Sequence, residues 1–137
     1  MHRAIHVRIL AGQRQMIPIS EASFLTQVKA LAYQYGWLVH HQAPMRTPRG
    51  NIITGGSPGY PDLCMAHEQK GLIYAELKTE KGKASEAQLH WLRTLHPHAE
   101  CYLWRPADLT FIAQRLPANE HEHSTAFVPY ATNRQHI

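Results

Sequence analysis

Apolar positions recur along this chain at two spacings, and the switches between them lay out its elements. From Ser20 the spacing is helical: Leu25, Val28, Ala32 and Tyr35 form one stripe, widened by Phe24 and Leu31. Ser20 suits the cap at the start and Gly36 the stop, which predicts a helix from Ser20 to about Tyr35. The period then drops to two. Trp37 to His41 reads as a strand with Trp37, Val39 and His41 on one face and Leu38 and His40 on the other. Two more strands, Asp62 to Ala66 and Leu72 to Lys78, flank a turn at His67 to Gly71 and predict a hairpin. Ser85 with Gln88 three residues on forms a capping box that opens a helix to about His96. Its stripe is Leu89, Leu92 and Leu95, with Trp91 to one side. Glu100 to Trp104 is a fourth strand; Arg105-Pro106 breaks it, and Ala107 to Leu116 predicts a last short helix.

The intervals between these elements differ in character. Ile5, Val7 and Ile9 alternate with His6 and Arg8, which suits a short edge strand or one exchanged with a partner. Residues 42 to 60 form a loop rich in Pro, Gly, Arg and Thr, longer than structural connections usually are. From Pro117 the chain is polar and aperiodic, with His121, His123 and His136 scattered through it, and reads as a solvated tail. The chain thus divides into an arm over 1–19, a domain over 20–116 and a tail over 117–137. The order helix, strand, strand, strand, helix, strand, helix implies an α/β fold, a mixed central sheet flanked by helices.

Composition narrows the class. At 137 residues and 44% hydrophobic content, the chain has material for one globular core. No apolar run approaches the ~20 residues of a membrane span, and no signal-peptide pattern opens the chain. Cys64 and Cys101 fall in predicted interior strands without a Cys-x-x-Cys motif, so reduced thiols in a cytoplasmic protein are expected. A formal charge of +4 suits a polyanionic partner mildly. The placement says more. Arg46 and Arg49 occupy the loop before Asp62, and Lys78, Lys81 and Lys83 come at the end of the Glu76 strand or just after it. Cations around carboxylates are expected where a phosphate backbone is held over a metal site.

The chemistry concentrates at the predicted hairpin. Its two strands can bring Asp62, Glu76 and Lys78 into one small volume, with Glu76 and Lys78 pointing the same way. The Leu77 carbonyl, between those side chains, could add a neutral oxygen ligand. Pro61-Asp62 also suits a plain turn or strand start, and Glu-x-Lys a solvated face with a weak ion pair. Gln88 is either a helix cap or a site residue. Glu21, on the buried stripe of the first helix, either complements the helix dipole or holds a metal-bound water. The glycines at 55, 56 and 59 do not make a P-loop, because no Gly-Lys-Ser/Thr follows.

Taken together, Ser57-Pro58-Gly59-Tyr60-Pro61-Asp62-Leu63, then Tyr74-Ala75-Glu76-Leu77-Lys78-Thr79, then Ser85-Glu86-Ala87-Gln88 leading into Trp91-Leu92, resembles the VRR-NUC family of PD-(D/E)xK nucleases. The likeness runs from about Ser20 to Leu116. It implies a restriction-endonuclease-like core and a metal-dependent DNA endonuclease. Asp62, Glu76, Lys78, Glu21 and Gln88 would be its active-site residues. Asp62, Glu76 and the Leu77 carbonyl would hold Mg²⁺ or Mn²⁺, with Glu21 acting directly or through water; oxygen ligands favour such hard ions over zinc. Lys78 would orient or deprotonate the attacking water, or stabilise the phosphorane charge. Arg46, Arg49, Lys81, Lys83 and His41 would contact nucleic acid. Stand-alone phage and bacterial members are associated with homodimers that cut branched DNA such as Holliday junctions, and the resemblance implies the same here. The rival expectations are a sequence-specific restriction-type endonuclease, a non-catalytic nucleic-acid-binding module, and a histidine-rich metal carrier.

Overall fold

The computed structural model of the chain describes residues 8–10, 13–15 and 18–119. Helix α1, Glu21–Gln34, starts where the Ser20 hydroxyl accepts the Ser23 amide, and its acidic first turn suits the helix dipole. It stops at Gly36 (φ +81°), whose amide reaches the Tyr33 carbonyl while the Trp37 amide reaches Ala32. That paired closure needs a left-handed residue, which glycine supplies without a Cβ clash. The buried stripe runs through Phe24, Val28 and Ala32, with Leu25, Leu31 and Tyr35 partly covered at its borders.

Four strands form the main sheet: β3 (Leu38–His41), β6 (Leu63–His67), β7 (Gly71–Leu77) and β8 (Glu100–Trp104). They lie in that order, antiparallel except for the parallel β7–β8 pair, so the sheet is mixed. Helix α2, Glu86–Leu95, makes the crossover between the parallel strands. A 3₁₀ turn (Pro106–Asp108) and α3 (Leu109–Arg115) follow β8. The described residues form an α/β domain with a mixed central sheet and three α-helices.

Register sorts the side chains onto two faces. Val39, Met65 and Ile73 stand abreast, as do His41, Leu63 and Ala75, and Met65, Ile73, Leu63 and Ala75 are buried. This is the α1 face, where Lys29 of α1 lies close enough to His41 to influence its charge. On the opposite face Leu38, Ala66 and Leu72 stand abreast, then His40, Cys64 and Tyr74, and then Glu76 under α2.

Several sequence expectations change. The interval 42–60 is not one open loop: β4 (Pro44–Arg46) and β5 (Ile52–Thr54) pair in it as an antiparallel hairpin. Its three-residue strands are too short for a periodicity to register. At the N-terminus β1 (Arg8–Leu10) pairs antiparallel with β2 (Gln13–Gln15) of the same chain, a short hairpin where the sequence suggested a lone strand. The last helix begins later than Ala107, because Pro106 seeds the 3₁₀ turn ahead of it. Cys64 is half-buried and Cys101 buried, both as free thiols. Ordered contacts run past Pro117, since the Arg115 guanidinium reaches the Ala118 carbonyl. The expectations for Ile5, Val7 and the three tail histidines lie outside the described residues. No described helix is long and apolar enough to cross a membrane.

Candidate active site

The site lies where β6 begins and β7 ends. Leu63 pairs with Ala75, and continuing that register sets Asp62 opposite Glu76. Hydrogen bonds cross the gap in both directions. The Leu77 amide donates to Asp62 Oδ2 at 2.8 Å, and the Asp62 amide donates to Glu76 Oε2 at 3.2 Å. Each carboxylate is therefore fixed by the backbone of the strand carrying the other, which fits Pro61-Asp62 at the strand entry. For Leu77 the observed contribution to the cluster is its amide, where the sequence pointed to its carbonyl.

Glu76 is 2% exposed, and Lys78, on the same face, brings Nζ to 3.7 Å from Glu76 Oε1. Gln88 Nε2 donates to that same Oε1 at 2.7 Å, while Gln88 Oε1 accepts the Ser85 amide at 2.8 Å and the Gln88 amide donates to Ser85 Oγ. The two readings of Gln88 are thus compatible: one amide group both caps α2 and holds Glu76.

Burial pushes the Glu76 carboxyl up to about 8, reinforced by the neighbouring Asp62 charge and a carboxyl–carboxyl hydrogen bond. Lys78 and the Asp62 amide pull the other way. They lose because an ammonium at 3.7 Å only partly replaces the water removed from a buried carboxylate. A buried glutamate carboxyl that burial holds back from ionising, with a second carboxylate beside it, forms an oxygen donor set that gains from a hard divalent cation. In that sense the residues present fit Mg²⁺ or Mn²⁺. Among the described residues no group of three or more His, Cys, Asp and Glu side chains forms a ready-made cage, so any ion here would be held by two carboxylates, backbone oxygen and water.

The loop before Asp62 is locked onto α2. Gly59 (φ +83°) lies so close to the helix that a Cβ there would fall 2.4 Å from the Ala87 carbonyl carbon. The Trp91 indole donates to the Pro58 carbonyl at 3.2 Å, and Tyr60 packs edge-on against both Trp91 and Tyr74. Sequence reasoning missed this lock. Its signal was present: a glycine two residues before Pro61-Asp62 and a tryptophan off the apolar stripe of α2. Beyond Lys78, Arg105 donates to the carbonyls of Thr79, Glu80 and Gly82, and Glu80 accepts the Ala107 amide. That clamp fixes the loop carrying Lys81 and Lys83, both exposed.

The other expected site residues lie outside this hydrogen-bonded cluster. Glu21 is exposed, and its side chain makes no hydrogen bond or ion pair among the described residues. It shares the angular position of the stripe, but it sits in the first turn, beyond the end of the buried run that begins at Phe24. The inward-facing acid is therefore corrected to an outward one. His41 is half-buried on the α1 face, opposite the face on which Gln88 meets Glu76; burial lowers its pKa, and the Asp62 charge, close enough to act on it, pulls the other way. Arg46 and Arg49 are exposed on the β4–β5 hairpin. A shallow depression of about 580 Å³ by Gly36, Leu38 and His67 lies at the far end of β6 from Asp62.

Comparisons of the chain with protein-family models, with curated proteins and with solved structures return no match. The fold and the site therefore define an α/β domain with a buried acid pair, a lysine and a glutamine at one sheet end, and the functional reading rests on that geometry.

Proposed function

We propose that this chain is a metal-dependent DNA endonuclease with a restriction-endonuclease-like core of the VRR-NUC kind, acting on branched DNA such as Holliday junctions as a homodimer. The observation that carries the reading is the cluster of Asp62, Glu76, Lys78 and Gln88, each tied to its neighbour by a hydrogen bond or ion pair. Asp62 and Glu76 would hold the cation; when bound, it supplies charge neutralisation at the phosphate and a more acidic water. Asp62 is oriented by the Leu77 amide and Glu76 by Gln88, so neither carboxylate has to reorganise when substrate arrives. Lys78 stands beside the pair and is 15% exposed, within reach of an incoming phosphate or its attacking water. The exposed cations Arg46, Arg49, Lys81 and Lys83 would hold flanking phosphates without reading sequence.

Labelled four-way, flap and linear duplex DNA incubated with Mg²⁺ or Mn²⁺ tests the reading. Metal-dependent nicking is expected, strongest on the branched substrates. Glu76→Ala and Lys78→Ala should each lower its rate by roughly 10² to 10⁴ while DNA binding persists. Cleavage undiminished by both substitutions, or absent on every substrate, overturns the proposal. Cutting confined to a short sequence on linear DNA would move it to a restriction-type enzyme.

A further inference from the structure

The β4–β5 hairpin grows directly out of the site. At its base the Gln42 amide donates to the Asp62 carbonyl at 3.1 Å, and the Gln42 side chain reaches across to the Gly55 carbonyl. At its tip the Thr47 amide donates to Asn51 O at 2.8 Å, Gly50 N to Thr47 O at 2.9 Å, and Asn51 N to Thr47 Oγ1 at 3.1 Å. The arm is hydrogen-bonded at both ends, so it is a stiff projection and not a slack connection.

Its surface is unusual for a two-stranded ribbon in water. Met45 pairs with Ile53 and Arg46 with Ile52, and Met45, Ile52 and Ile53 are 56%, 64% and 47% exposed. An isolated ribbon has no second layer to bury such side chains. Residues 42–60 also contain two arginines, Arg46 and Arg49, and no aspartate or glutamate. Aliphatic side chains set among unopposed cations match a surface that is apolar in its interior and anionic along its margin. Base faces bordered by phosphates have that character. Three residues of strand reach roughly 10 Å, comparable to the depth of a DNA groove.

We propose that this hairpin is a nucleic-acid wedge. Met45 and Ile53 press against bases at an opened step of the duplex, and Arg46 and Arg49 hold the adjoining phosphates. The wedge rests on the nuclease reading for its choice of DNA, but its test is separable from cleavage.

The experiment uses the full chain in EDTA, where no metal-dependent cleavage can occur. The probes are a four-way DNA junction with 2-aminopurine at the branch point and a linear duplex carrying the same label. Wild type should raise the junction fluorescence as bases unstack. The double variant Met45→Ser/Ile53→Ser should lose that rise and bind the junction roughly tenfold more weakly. It should keep its salt dependence. Arg46→Gln/Arg49→Gln should reduce the salt slope of binding by about two phosphate contacts. These side chains are exposed, so unchanged circular dichroism and melting are expected in both variants. A fluorescence rise that survives Met45→Ser/Ile53→Ser overturns the wedge, as does an absence of any rise with wild type. So does a shift of that variant from dimer to monomer in sedimentation, which would make the hairpin a protein–protein surface. Unstacking by wild type without cleavage under any metal would leave the wedge standing and sink the nuclease. Cleavage with unchanged fluorescence in the variant would do the reverse.

Discussion

At Glu76 a carboxyl sits where water barely reaches, with Asp62 beside it, and the consequence is a pH dependence of definite sign. Its ordinary value is 4.5 and its folded value about 8, so between those limits the native protein keeps a proton that the unfolded chain has released. Stability therefore falls as pH rises through that window, by up to about 1.4 kcal/mol per unit, and is fullest below it. Thermal melting in EDTA should show this decline, and Glu76→Gln should flatten it. A slope unchanged by the substitution would refute the assignment. The acid pair itself was readable from the chain, because strand alternation and a short turn leave few other places for Asp62 and Glu76 to go. Glu21 was misread for a related reason: helical periodicity reports an angle around the axis but not how far the covering layer extends along it.

Among the elements, α2 organises the most. Its capping box was visible in Ser85 and Gln88, but nothing local revealed that the capping glutamine also reaches Glu76, twelve residues back. The contact of Gly59 with the first turn of the same helix was equally hidden, since it joins segments that no period relates. Two glycines make it measurable. Gly59 and Gly50 share a left-handed backbone (φ +83° and +84°), but an added Cβ meets Ala87 at the first and nothing within 4 Å at the second. Both Ala variants should lose about 1 kcal/mol to backbone strain, and Gly59→Ala a further 1–3 kcal/mol to the clash. Urea denaturation of the two side by side gives the difference; equal losses would dissolve the proposed lock. The β4–β5 hairpin escaped detection because its short strands alternate no apolar pattern, and Pro44, Met45, Arg46, Ile52 and Ile53 all stay exposed.

Across the whole molecule, closure depends on a second buried cluster, whose side chains lie outside the Asp62–Gln88 span. Arg115 is buried, binds Glu100 through Nε and Nη2, donates to the Lys70 carbonyl, and lies 5.5 Å from the Trp37 ring centre. The Trp37 indole in turn donates to the Leu116 carbonyl at 2.8 Å, and Tyr102 donates to Glu100. Arg115→Met should cost about 3–5 kcal/mol in chemical denaturation, because it takes the guanidinium from a carboxylate that folding has largely withdrawn from water. Adding Glu100→Gln should restore part of that loss. The two acids, the lysine and the glutamine of the cluster span only Asp62 to Gln88, whereas the Trp37–Leu116 bond joins positions 79 apart. The acid-pair end of the sheet is thus woven from near neighbours, and the remote ends are joined behind it. Sequence change at the two remote ends can then weaken closure while leaving the local contacts among Asp62, Glu76, Lys78 and Gln88 in place.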